Sequence, residues 1–402
     1  MKVRFIITFL SVMFFGSSYA TLKECYKDGV DQEYERVLES CKPYLKTDAR
    51  ATGLLAEANV QLDMSDKNAL DYALWAADFY EKNGTPTDPE GVRTYSYLVY
   101  LIGELYFFGA DGVEVDQPKG IEYITKAANL GYDIAQNQLG NLYVRNDKVP
   151  GMNVAKAYKW YKLAIANGSL EARGAYLINN QQKFIQEYPY CMSLGRAFIA
   201  DAYLNGAGGL PQSPEYAIKW YQKAYDLDHS AEIEAGLAEV YYKEYKNINH
   251  GKHAFKHAGM AQALIAKNDK QRAYKYAREA IIQPYAPAFV IMAELTDNKV
   301  AKYAYLSEAI KLYNNPLFGF WRQFNPYCMP DLSDKRGLKK AEQELAKIKL
   351  TAEEKELAVK EQESLEVYWN PNVQPKQGEQ KQESSEVQQQ VSEKTQVESS
   401  QS

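Results

Sequence analysis

The 402-residue sequence is short of most features that mark an enzyme. It has four cysteines and four histidines. It contains no G-x-S-x-G, no S-x-x-K with its partner motifs, no supported Cys–His pair and no phosphate loop, so the familiar nucleophilic and nucleotide chemistries have no signature here. Its many carboxylates fall in helical stretches, where they read as solvated faces. Basic residues are not in excess: 47 Lys and Arg stand against 52 Asp and Glu, interspersed, for a net charge of −5. With no zinc-finger spacing and no RNA-binding motif, a nucleic-acid partner is excluded. No run alternates long enough to claim a strand. After residue 20 no apolar run is long enough to span a membrane. Four cysteines are too few for a disulfide-built scaffold, although they suit an oxidising compartment.

Residues 1–20 have the form of a secretory signal: Lys2 and Arg4, an apolar stretch from Phe5 to Phe15, then Ser18-Tyr19-Ala20 before a cleavage point. Residue 21 is Thr, so no lipid-attachment cysteine follows. The sequence therefore predicts a periplasmic or secreted chain, with net charge −7 once Lys2 and Arg4 are lost. Cys25 and Cys41 lie close enough to staple an N-terminal helical hairpin, a loop worth about 3 kcal/mol. At the other end, residues 370–402 are Gln, Glu, Ser and Lys with almost no aromatics, a composition expected to stay disordered.

Between these ends the sequence repeats itself. From Tyr97 to Gly131, two apolar runs at helical spacing flank a glycine-rich turn. Gly103 leaves room for a neighbouring helix. Gly109 and Gly112 stand where the first run stops, and Asp116 followed by Pro118 starts the second. A shift of 37 brings Gly103 onto Gly140, Tyr106 onto Tyr143, Asp116 onto Asn153, Tyr123 onto Trp160 and Gly131 onto Gly168. A shift of 97 brings Tyr106 onto Tyr203, Gly109 onto Gly206, Gly112 onto Gly209, Asp116 onto Ser213 and Tyr123 onto Trp220. A further unit begins at Ala172 and Tyr176, then breaks into the polar run Asn179 to Lys183.

This gives an organisation of signal (1–20), an N-terminal helical region with a tetratricopeptide-like pair (21–90) and repeat units (91–176). A connector (177–195) leads to further helix pairs (196–315) and a second connector (316–335), before C-terminal capping helices (336–369) and the tail (370–402). Helices are expected at Ala51–Leu62, Asn68–Asn83, Ala231–Tyr245, Gly259–Ala266, Lys270–Ile282, Pro287–Leu295 and Val300–Leu312, with turns at Lys267–Asp269 and Thr296–Asn298. Thr351 to Glu354 fits a capping box. The Lys/Glu-rich helices around it suit the polar end that a stacked array needs.

On Leu101–Gly131, Gln138–Gly168 and Ala200–Tyr225 the chain resembles the Sel-one-like repeat (SLR) family. The copy at 135–168 departs at the turn, where Asn146 and Val149 replace glycines. The resemblance implies an all-α fold: antiparallel helix pairs, tetratricopeptide-like, stacked as a right-handed superhelical solenoid with a concave inner face. It implies an adaptor that holds a peptide or a partner helix in that groove. Exported bacterial members work at the cell envelope. A cysteine-rich exported subgroup is described as weak β-lactamases, but its disulfide in every repeat is missing here.

Three constellations remain. His250, His253 and His257 would share a helical face, and the last two have a metal-ligand spacing. Ala254 rules out H-E-x-x-H, and Lys252 and Lys256 oppose a cation, so no metal and no cofactor is assigned; a pH-sensitive surface is the other reading. A cassette around Pro189-Tyr190-Cys191-Met192 recurs 137 residues later as Pro326-Tyr327-Cys328-Met329. Stacking at about 10 Å per layer over almost four helix pairs would hold Cys191 and Cys328 apart, which argues against a bridge. The repeat aromatics Tyr106, Tyr143, Trp160, Tyr203, Trp220 and Tyr221 are expected to pack between helices. Tyrosines outside the repeat pattern are the better contact surface. The sequence thus predicts a non-catalytic exported scaffold for protein partners. A binder of envelope polysaccharide or peptidoglycan is the alternative, and a β-lactam or peptidoglycan hydrolase a more distant one.

Overall fold

The computed structural model describes residues 20–144, 153–249, 259–282, 285–314, 328 and 336–366. Among these, every regular element is helical, and the lone β-bridge joins Ala110 to Val113. The chain divides into two compact units, residues 1–136 and 137–402.

In the first unit short side chains start the helices. Thr21 forms a reciprocal capping box with Glu24 at the head of α1 (Leu22–Val30). α2 (Tyr34–Ser40) follows, and the Cys25–Cys41 disulfide, with Cα atoms 4.8 Å apart, ties the two helices together. Asp48 caps α3 (Ala49–Gln61), Ser65 caps α4 (Asp66–Asn83) and Asp88 caps α5 (Pro89–Phe108). Asp116 caps α6 (Gln117–Asn129), where its side chain accepts from the Lys119 amide. Each such cap is worth about 1 kcal/mol. α3 packs on α4 and α5 on α6. Leu98, Ile102 and Ile124 are completely buried, and each contributes about 1.5–3 kcal/mol by leaving water. The helices approach closely at Gly103, where an added Cβ would lie 2.8 Å from the backbone nitrogen of Ile124. Any side chain there would push α5 off α6.

α7 (Asp133–Val144) leads into the second unit. There α8 (Val154–Ala166) is followed by a 3₁₀ turn at Glu171–Gly174 and two short helices, α9 (Tyr176–Asn179) and α10 (Gln181–Glu187). The polar run that interrupts the repeat pattern is thus helical, in pieces of a turn or two. α11 (Pro189–Asn205) pairs with α12 (Pro214–Tyr225), α13 (Ala231–Asn249) with α14 (Gly259–Ala280), and α15 (Ala286–Leu295) with α16 (Lys299–Asn314). α17 (Arg336–Leu345) and α18 (Ala352–Glu366) both lie on α16. Thr351 and Glu354 cap α18 reciprocally, at 3.2 and 2.9 Å.

The repeat copies share one backbone device. The amide of the capping residue donates to the carbonyl of the tyrosine in the preceding helix: Asp116 to Tyr106 at 2.7 Å, Asn153 to Tyr143 at 2.9 Å, Ser213 to Tyr203 at 2.8 Å. The sharp turn in the first copy rests on Gly109 and Gly112, both at φ +72°, which a side chain would disfavour.

Two expectations are corrected. Lys267–Asp269 is no turn, because α14 runs through it. No glycine or proline breaks the helix there, and the Asp269 carboxylate is taken by Arg272 one turn on, at 3.6 Å. Cys191 and Cys328 are bonded, with Cα atoms 5.3 Å apart. Helix layers do not fix the separation, because the chain after α16 is long enough to run back. The fourteen peptide steps from Asn314 to Cys328 can span up to about 45 Å, which is four to five layers. Both cysteines are fully buried beside Leu177, Met192 and Leu194.

Candidate partner-binding face

α5 has two distinct stripes. Leu98, Leu101, Ile102 and Leu105 are buried. Arg93, Tyr97, Tyr100 and Glu104, spaced by four, three and four residues, face solvent, Arg93 exposed and the others half-buried. On α3, one turn apart, Glu57 is half-buried and Gln61 exposed. Tyr34 of α2 donates to Glu57 Oε1 at 3.1 Å. Tyr97 is hydrogen-bonded with Gln61, and Tyr100 with Glu104. Tyr132, at the head of α7, closes the group. Its ring centroid is 5.1 Å from that of Tyr100 and 6.4 Å, edge-on, from that of Tyr97.

Burial gives this face its chemistry. It pushes the Tyr34 hydroxyl up to about 12, helped by the Glu57 charge, and the Tyr132 hydroxyl up to about 12, helped by Asp133. Tyr97 and Tyr100 are raised further, again by burial first and then by Glu57 and Glu104 respectively. Glu57 itself is raised by burial, against the pull of Tyr34 and Arg93. All four phenols are therefore neutral donors at any physiological pH. The face offers fixed hydroxyls, aromatic edges and two half-buried carboxylates, Glu57 and Glu104. It holds no nucleophile paired with a base.

These tyrosines are not repeat residues. Where the first copy has Tyr97 and Tyr100, the second has Ile134 and Asn137, and the third Leu194 and Ala197. Glu104 corresponds to Asn141 and Asp201. In those copies a tyrosine of the next helix reaches that position: the Tyr161 hydroxyl donates to Asn141 Oδ1 at 2.8 Å, and Tyr221 likewise donates to Asp201. The first copy has Ile124 in place of that tyrosine, so Glu104 takes Tyr100 instead. The sequence signal for the face is therefore departure from the repeat, but only coordinates show which departures meet.

The repeat aromatics pack within their own helix pairs. Tyr106 stacks on Tyr123 at 6.2 Å and Tyr203 on Tyr216 at 5.2 Å. Lysine ammoniums lie over Tyr106, Tyr143, Trp160 and Trp220, at 3.9, 5.3, 4.0 and 4.8 Å. Gly131, Gly168, Gly206 and Gly209 take positive φ at helix ends and turns. Gly140 approaches the Tyr161 ring as Gly103 approaches Ile124. His250, His253 and His257 lie outside the described residues, as do Asn146 and Val149. Among the described residues no cluster of His, Cys, Asp and Glu could hold a metal.

A family model for the Sel1 repeat matches residues 97–132, 133–169 and 192–229. Three stretches of the chain, a little over a quarter of its length, match the Sel1 repeat. Sel1 repeats generally mediate contacts between proteins, and the proteins that carry them are generally non-catalytic scaffolds. No curated protein matches the sequence. Solved structures similar to it include two helical-repeat proteins. One is a protective antigen of uropathogenic Escherichia coli strains displaying an SLR fold: 18% identity, 88% of this chain and 96% of that one covered, TM-score 0.21. The other is a Sel1 repeat protein from Oxalobacter formigenes: 14% identity, 82% and 98% covered, TM-score 0.29. The Sel1 copy at 97–132 supplies most of the tyrosine face; Tyr34, Glu57 and Gln61 come from the helices before it. No described helix is long and apolar enough to cross a membrane.

Proposed function

We infer that this chain is an exported, non-catalytic scaffold of the bacterial cell envelope, periplasmic or secreted, and that it grips a protein partner on the face of Tyr34, Glu57, Tyr97, Tyr100 and Tyr132. The observation that carries this reading is the tyrosine group itself. Tyr97, Tyr100 and Tyr132 stand where the other repeat copies have no tyrosine, and Tyr34 joins them from α2. Tyrosine gives large contact area for little lost side-chain freedom, and a preformed surface needs little rearrangement to bind. The partner would be a peptide or helix laid along α3 and α5, serving secretion, envelope assembly or host interaction.

The test is crosslinking in the native cell followed by capture from envelope extracts, with and without glycan digestion. The wild type is compared with the double variant Tyr97→Ala/Tyr100→Ala. A protein retained after glycan digestion, and lost in the double variant while its circular dichroism is unchanged, supports the reading. Loss of every partner on glycan digestion would move it to a polysaccharide or peptidoglycan binder. Nitrocefin turnover by the purified mature chain would overturn the non-catalytic part.

A further inference from the structure

One helix pair sets a carboxylate beside a lysine where another sets only cations. In the first unit Lys126 of α6 pairs with Glu81 of the preceding paired helix, α4. The lysine at the same repeat position in the second unit is Lys223 of α12. Its preceding paired helix, α8, presents Lys162 rather than a carboxylate. Between them, on α11, stands Arg196. The three cations are tied together: the Lys162 ammonium lies 5.4 Å over the Tyr158 ring, Tyr158 is hydrogen-bonded with Arg196, and Arg196 Nη1 donates to the Lys223 carbonyl at 2.6 Å. Arg196 Nε is shielded from solvent and has no partner.

Among the described residues no carboxylate lies within ion-pair distance of Lys162, Arg196 or Lys223. The nearby acids are engaged elsewhere: Asp201 accepts from Tyr221, and Asp226 accepts from Gln222. Burial, then Lys223 and Arg196, hold the Lys162 ammonium below its ordinary value, and no neighbouring acid pulls the other way. Three like charges on packed helices repel one another unless an anion joins them.

We propose that Lys162, Arg196 and Lys223 form a docking site for an acidic peptide segment of a protein partner, with its carboxylates taking the place that Glu81 holds beside Lys126. A polyanion is the poorer fit. Three cations make a point rather than a stripe, and the net charge of −5 repels long anionic chains. The site rests on the scaffold reading only in supposing a protein partner. It lies on other helices in the other unit, so the tyrosine variants test one reading and the lysine variants the other.

The probe is a fluorescein-labelled hexaglutamate peptide, titrated against the mature chain at low salt with hexaglutamine as the neutral control. Hexaglutamate should bind, hexaglutamine should not, and Lys162→Gln and Lys223→Gln should each weaken binding about tenfold. Lys219→Gln, whose ammonium lies over Tyr216, should change it little. Lys223→Glu should abolish binding and raise Tm, because it sets a carboxylate among Lys162 and Arg196 in place of a third cation. That second readout survives if a glutamine variant folds poorly. Absence of hexaglutamate binding, or equal binding by Lys162→Gln and Lys219→Gln, overturns the proposal. Displacement by inorganic phosphate as efficient as by unlabelled hexaglutamate would also overturn it, assigning the site to phosphate.

Discussion

Replacing Glu234 by glutamine should stabilise the protein, and only above about pH 4.5. Glu234 belongs to α13, and its carboxylate is buried with Oε2 unpartnered. Across from it on α14 stands Glu279, whose Oε2 also lacks a partner and whose Oε1 is 3.9 Å from the Lys275 ammonium. Asp228 adds a third negative charge, and Tyr225 is hydrogen-bonded with Glu279 while its ring stacks on His229. Burial first, then Glu279 and Asp228, push the Glu234 carboxyl from 4.5 up to about 7. The folded state therefore holds a proton that the unfolded chain releases. Stability is highest below pH 4.5, falls as pH rises from there to about 7, and is flat above. One pKa unit is worth about 1.4 kcal/mol, so the whole cost is at most about 3.5 kcal/mol at pH 8. Glutamine keeps the shape, carries no charge and offers an amide donor to Glu279. Urea unfolding followed by circular dichroism at pH 4.5, 6 and 8 reads the difference. Glu234→Gln should match the wild type at pH 4.5 and exceed it by about 2–3 kcal/mol at pH 8. Equal stability at pH 8, or a gain independent of pH, would refute the argument.

Three further outcomes follow from the packing. Cys328→Ser opens a loop of 137 residues and should cost the second unit about 4–5 kcal/mol in urea unfolding, an effect that reductant reproduces in the wild type and not in the variant. Gly103→Val should cost about 3 kcal/mol or prevent folding of the first unit, because its Cβ would meet the Ile124 backbone as well as its Cγ1; thermal melts check it. Asp116→Ala, Asn153→Ala and Ser213→Ala each remove one helix cap and should cost about 1 kcal/mol apiece, additively, as measured by the same melts.

The sequence carries the scaffold far better than the site. Shifts of 37 and 97 find the repeats because close helix contact and helix starts restrict which residues fit: glycine at 103 and 140, and Asp, Asn or Ser at 116, 153 and 213. Helix bounds at α3, α4, α15 and α16 come within two residues for the same reason. Lys267–Asp269 misleads because polarity alone does not stop a helix. The Cys191–Cys328 bond is hidden because a connector's reach is not written in the period of the repeat. The tyrosine face is half legible: Tyr97 and Tyr100 are visible as departures, but their meeting with Tyr132 and Glu57 depends on how α3, α5 and α7 turn. The cation trio is illegible, since a lysine near a helix C-terminus is ordinary until its neighbour proves to be a second lysine.

The buried Cys191–Cys328 bond also has a mechanical meaning. A chain pulled from its two ends carries tension along the shortest covalent path. At Cys191 that path leaves the backbone and crosses two sulfurs to Cys328. Helices α11 to α16 then hang in a side loop that bears no load, and some 450 Å of extended chain is withheld until the bond is reduced. A scaffold anchored at one end and held by its partner at the other could be strained while those helices, and the Lys162–Arg196–Lys223 group they help build, kept their shape.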